Sequence, residues 1–186
     1  MIDSLYQNID RIKKPPFWDE YQLEQRNYIV LTLHRPSNVD EKEPLLDLLA
    51  SINNLAEDKK IVFPVHPRTK TILENTNLHF KNIIYVEPQG YLCFLYLIKN
   101  AFVVITDSGG ISEETTVLDI PCFTLRENTE RPETITLGTN ILVGNSIDKL
   151  KNAYDLFLKN GSKKSSIPEL WDGKASERII SILLDK

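Results

Sequence analysis

The chain has 186 residues, 41% hydrophobic and 26% charged, enough for one substantial core and too apolar for a mostly disordered chain. Its 22 Lys and Arg against 26 Asp and Glu leave a net charge of −4, so no basic excess points to nucleic acid. Two cysteines, Cys93 and Cys122, speak against a disulfide scaffold, and no run of signal-peptide or membrane-span length occurs, so a cytoplasmic chain with no membrane partner is expected.

Residues 3–12 suit a short helix that Pro15-Pro16 stop, and charged residues 19–26 suit a surface cover. The run YIVLTL (28–33) predicts a buried strand. Residues 43–57 place Leu45, Leu48, Leu49, Ile52 and Leu55 at helical spacing, with Pro44 in the first turn. A second strand is expected over 61–65, where Pro64 sits near the end, then a helix over 68–75 and a third strand over 83–86. An apolar helix follows over 90–99, a strand over 101–106, a helix over 110–118, and strands over 121–125 and 140–143. Amphipathic helices over 147–158 and 175–184 close the chain, and Trp18 and Trp171 suit packing.

Short apolar strands alternating with helices predict an α/β fold: a doubly wound, Rossmann-like parallel sheet covered on both faces. The domain is expected over 28–174. Residues 1–27 read as a lead-in helix and linker, and 175–186 as a terminal helix packing outside it.

In such folds ligands bind beyond the carboxyl ends of the strands. Those ends here carry His34-Arg35, His66-Pro67-Arg68, Glu87-Pro88-Gln89, Asp107-Ser108-Gly109-Gly110 and Arg126 through Arg131. The Ser108-Gly109-Gly110 turn joins a strand to a helix, where free amide N–H groups accept phosphate; it is equally a turn that simply needs glycine. It fits neither dinucleotide nor P-loop patterns. Glu114 is either a helix-dipole partner or a carboxylate for the vicinal diol of a ribose. His34 is either structural or the partner of a bound diphosphate. Arg131 is either a solvated ion pair or a phosphate clamp. No metal-ligand spacing occurs and no cofactor is expected.

The segments LTLHRPSNVD (31–40), FPVHPRT (63–69), EPQGYLCFLYLIKNAFVVITDSGGISEE (87–114) and LRENTERPETITLGTNILVG (125–144) resemble the C-terminal half of the non-hydrolysing UDP-N-acetylglucosamine 2-epimerases. The resemblance implies two Rossmann-like domains around a cleft, as in glycosyltransferase-B folds, with this half holding UDP. His34 and Arg131 match active-site positions, and Gln89 and Phe94 match the uracil end. Ser108, Gly109 and Gly110 match the phosphate turn, Glu114 the ribose carboxylate, and His66 a regulatory second UDP-sugar site of bacterial members. The implied reaction inverts C2 of the sugar through elimination and re-addition of UDP, giving UDP-N-acetylmannosamine for surface-polysaccharide synthesis.

That reaction's acid/base carboxylates belong to an N-terminal domain that nothing here matches, so the chain is expected to be inactive alone. A homodimer stays open as its assembly. Ser112, Thr115-Thr116-Val117 and Asp119-Ile120 depart from the family's common residues. Two other readings remain: a non-catalytic nucleotide-sugar-binding or regulatory subunit that pairs with a separate N-terminal chain, and a glycosyltransferase of the same fold.

Overall fold

Six segments rich in β-branched and aromatic residues become strands: β1 (Tyr28–Thr32), β2 (Lys60–Pro64), β3 (Ile83–Val86), β4 (Val103–Thr106), β5 (Cys122–Thr124) and β6 (Asn140–Leu142). The computed structural model describes residues 1–74, 76 and 79–184. All pairings are parallel, in the order β3-β2-β1-β4-β5-β6, which is the doubly wound, Rossmann-like arrangement expected.

Strand alternation divides the core in two. Ile29, Leu31, Phe63, Ile105 and Phe123 point to one face, under α4 (Lys42–Leu55) and α9 (Ile147–Asn160). Leu45, Leu49 and Ile52 of α4 and Leu150, Tyr154 and Phe157 of α9 meet them there. Tyr28, Val30, Val62, Val104 and Cys122 point the other way, onto α6 (Tyr91–Asn100) through Leu97 and Ile98. Burial on both faces explains why these strands are continuous apolar runs. Cys93 and Cys122 are free thiols, and burial pushes the Cys122 thiol up to about 11.

The N-terminal segment forms α1 (Ile2–Asn8), a 3-10 turn at Ile9–Arg11 and α2 (Phe17–Glu20). It lies on the sheet domain: Ile2 and Leu5 are buried, and Leu23 joins the second core. The Trp18 ring meets Tyr28 and Tyr96 edge-on, with centroids 5.3 and 5.2 Å apart. At the other end α10 (Ala175–Leu184) buries no residue. Its Ile179, Ile180, Ile182, Leu183 and Leu184 are all more than half exposed.

Two four-residue helices, α3 (Pro36–Val39) and α8 (Glu133–Thr136), lie where sequence periodicity predicted nothing; four residues are too few to display a period. Helix α5 (Pro67–Glu74) begins one residue early, while Asn75 and the Arg68 side chain lie outside the described residues. Helix α9 runs two residues past expectation, to Gly161 at φ 75°, a left-handed stop that glycine makes without strain.

Candidate functional site

Because β1 lies between β2 and β4, the chain leaves it in one direction and returns on its other side. The crevice where such connections diverge, beyond the carboxyl ends of the strands, is the binding place of doubly wound sheets. Here it falls between the ends of β1 and β4, where Thr32 stands beside Thr106 and their hydroxyls lie 2.6 Å apart.

The next residue after β4, Asp107, turns inward and is fully buried. Its carboxylate accepts the backbone N–H of His34 at 3.0 Å and of Arg35 at 2.9 Å. It also accepts the Asn38 side-chain amide at 3.0 Å, and His34 Nδ1 stands 2.7 Å from its Oδ1. Arg35 Nε in turn donates to the Asp107 carbonyl at 3.0 Å. One carboxylate thus ties the loop after β1 to the turn after β4. The His34 side chain stays 58% exposed, and Nε2 has no partner among the described residues.

Helix α7 (Gly109–Val117) starts at this point. Ser108 is its extended N-cap, and no side chain caps the first turn. The leading N–H groups therefore lack intrahelical partners and face outward with the positive end of the helix dipole. A Cβ at Gly109 would stand 2.8 Å from Arg126 Nη1, the far end of that side chain. The Met1 side chain lies over Gly110. The departures Ser112, Thr115 and Thr116 are buried hydroxyls that bond back to helix carbonyls, Ser112 to Gly109 at 2.6 Å.

Arg126 follows β5 with only 5% of its side chain exposed and grips Glu130 through both terminal nitrogens, at 2.8 and 2.6 Å. That pairing pulls the Glu130 carboxyl down to about 2. Arg131 is half exposed and donates from Nε to Glu113 at 3.0 Å.

Glu114, one turn into α7, is only 3% exposed. Burial raises its pKa most, the neighbouring Glu113 adds to that, and a hydrogen bond from Tyr91 opposes it. The Tyr91 hydroxyl donates to Oε1 at 2.9 Å, while Oε2 has no donor among the described residues.

His34, Ser108, Gly109, Gly110, Glu114 and Arg131 thus gather around the start of α7, linked through Asp107, Arg126, Glu130 and Glu113. Gln89 and Phe94 flank the start of α6. Gln89 donates to the Glu87 carbonyl at 2.6 Å, and half-buried Phe94 packs on the second core. His66 is exposed at the end of β2, one strand from β1.

The sequence reading put Asp107 and Arg126 on the strand-end rim without a role, and it missed Tyr91. Asp107 directly follows the fully buried β4, and a carboxylate next to a buried strand was the available signal. Arg126 comes after β5 in a similar way, one residue further on. Tyr91 gave no signal, since its contact with Glu114 spans 23 positions.

The family model described as UDP-N-acetylglucosamine 2-epimerase matches residues 1–184. The chain belongs to this family. A UDP-N-acetylglucosamine 2-epimerase of Methanocaldococcus jannaschii is 42% identical over 194 residues, covering 98% of this chain and 52% of the relative. One from Methanococcus maripaludis is 44% identical over 165 residues, covering 84% and 44%. The chain therefore spans about half the length of the curated relatives it matches. The M. jannaschii enzyme in complex with UDP-GlcNAc and UDP superposes with a TM-score of 0.82 over 100% of this chain and 53% of that one. The Neisseria meningitidis enzyme bound to UDP-GlcNAc, 28% identical, gives 0.83 over the same shares. Among the described residues no helix is long and apolar enough to cross a membrane.

Proposed function

We propose that this chain is the UDP-gripping half of an enzyme that interconverts UDP-N-acetylglucosamine and UDP-N-acetylmannosamine by eliminating and re-adding UDP. One geometry carries the reading: the uncapped start of α7 and the open oxygen of buried Glu114 lie on a single helix, five residues apart. That is about 7 Å of helix rise, a spacing suited to a ribose carrying a 5′-diphosphate.

In this reading the N–H groups of Gly109 and Gly110, with Ser108, hold the diphosphate, and the helix dipole supports its charge. Glu114 Oε2, which no donor among the described residues meets, accepts a ribose hydroxyl. Gln89 and Phe94 border the uracil. His34 and Arg131 face the diphosphate at the sugar end and stabilise it as it departs, Arg131 by turning from Glu113. His66 belongs to a second, regulatory UDP-sugar site. The base that takes the C2 proton comes from a second Rossmann-like domain, which also closes the cleft against water. The exposed apolar residues of α10 cover part of that domain.

Calorimetry with UDP tests the grip. The chain is expected to bind UDP and to show no epimerisation of UDP-N-acetylglucosamine by itself. Turnover by the isolated 186-residue chain would overturn the half-enzyme reading. The bare face of α10 also favours a second reading, in which the chain is a nucleotide-sugar-binding or regulatory subunit of a separate partner. Restored turnover on mixing with the N-terminal half of a relative supports the enzyme; a partner complex without turnover supports the subunit.

A further inference from the structure

Within the crevice one group is already committed before any ligand arrives. Asp107 can only accept hydrogen bonds when it carries no proton, and it faces two backbone N–H groups, the Asn38 amide and the His34 ring. A bare ring nitrogen 2.7 Å from such an oxygen would set lone pair against lone pair, which places the ring's proton on Nδ1. The arrangement therefore selects a tautomer as well as a position.

We propose that Asp107 is a positioning residue for the reaction: it holds the His34 imidazole with Nδ1 protonated, so that Nε2 is the nitrogen offered to the substrate diphosphate. This rests on the reading above, in which His34 faces that group.

The backbone bonds to His34 and Arg35 fix where the ring starts, and the carboxylate beside Nδ1 favours one way of turning it. The neutral ring then has its lone pair at Nε2. A proton carried by the arriving diphosphate is then shared between Nε2 and a diphosphate oxygen, while Nδ1–H faces Asp107. Without the carboxylate the ring is free to rotate and to carry its single proton on either nitrogen.

Two measurements test this. Nitrogen-15 NMR of the His34 ring in the ligand-free 186-residue chain, assigned by loss of the signal in His34→Gln, is expected to show the neutral ring protonated on Nδ1. Protonation on Nε2 overturns the proposal, and this measurement needs no Asp107 variant to fold. The second is a double-mutant cycle on UDP affinity with His34→Gln, Asp107→Asn and both together. Each single variant is expected to weaken UDP by about tenfold, and the double variant to be no weaker than His34→Gln alone. Additive losses overturn the proposal, because Asp107 would then act through the fold and not through the ring. Failure of the wild-type chain to bind UDP would defeat the functional reading instead, and the NMR result would still decide the tautomer.

Discussion

The crevice between β1 and β4 and the first turns of α7 each hold one buried carboxylate, and they are furnished differently. Asp107 receives three N–H donors from the segment after β1, with the His34 ring set against it. Glu114 receives a single phenol, from Tyr91. Both are nearly closed to solvent, so both lost hydration on folding. Asp107 recovers it within the protein, whereas Glu114 recovers only part of it there, from Tyr91, and its pKa is raised by burial. A carboxylate whose lone pairs are filled has little to offer a ligand and serves as framework. One with an oxygen that no protein donor meets is completed by a ligand that donates. Hydrogen-bond demand is met inside the protein at the first and left open to the crevice at the second.

The difference can be broken first at its framework side. Asp107→Ala leaves two backbone N–H groups and the Asn38 amide without their acceptor in a buried place. The expected loss is roughly 3–5 kcal/mol, read as a shift in urea midpoint with little change in slope. A loss of under about 1 kcal/mol would show that water replaces the carboxylate and that the crevice is not held together by it. Next comes Gly109→Ala. The obstacle to a Cβ there is the far end of the Arg126 side chain, 2.8 Å away, so the fold accommodates it. The displaced guanidinium and the added methyl then crowd the anion-binding turn. UDP affinity is expected to fall about ten- to a hundredfold, or about 1.4–2.8 kcal/mol, with near-normal stability.

The contrast between the two carboxylates also marks what a reader of the sequence can find. The strands were legible because burial on both faces writes continuous apolar runs, as in Tyr28–Thr32 and Val103–Thr106. The strand ends followed from them, and with them the region where His34 and Ser108 through Gly110 gather. The short helices Pro36–Val39 and Glu133–Thr136 did not, since capping and turn geometry decide them. The furnishing of the site was also hidden. The contacts of Asp107 with Asn38 and of Glu114 with Tyr91 span 69 and 23 positions, and tertiary pairing of polar groups leaves no period in a sequence. The ribose reading gave Glu114 two free oxygens, while the structure gives one of them to a phenol.

At the unfinished carboxylate, Glu114→Gln is expected to weaken UDP by about five- to tenfold, near 1–1.4 kcal/mol, because an amide cannot offer two acceptor oxygens. Its effect on stability runs the other way. A carboxyl raised above its ordinary 4.5 by burial binds more protons folded than unfolded. Its contribution is fully present below 4.5 and is lost as pH rises through the raised folded value. Glutamine does not titrate. The variant is therefore expected to gain on the wild type between pH 4 and pH 7, measured as the difference in urea midpoints. A difference that is flat with pH would mean that Glu114 is as well solvated folded as unfolded.

The smallest effect, and the sharpest on the pairing itself, is expected from Tyr91→Phe. Tyr91 is 38% exposed, so stability should change by under about 0.5 kcal/mol. Removing the phenol removes the larger of the two influences that lower the Glu114 pKa, the other being the N-terminal ammonium, so that pKa rises further and the pH-dependent loss described for Glu114 deepens. Affinity for UDP should change only about twofold, because a ribose hydroxyl or water can take the vacated place on Oε1. Discrimination is the informative readout. With Oε1 occupied, the wild type offers the ribose one open oxygen; with the phenol gone, both are open and both hydroxyls can be bound. The affinity ratio of UDP to 2′-deoxy-UDP should therefore grow in the variant. An unchanged ratio would mean that the phenol and the ribose never compete for Glu114, and that its open oxygen is aimed at something other than the sugar.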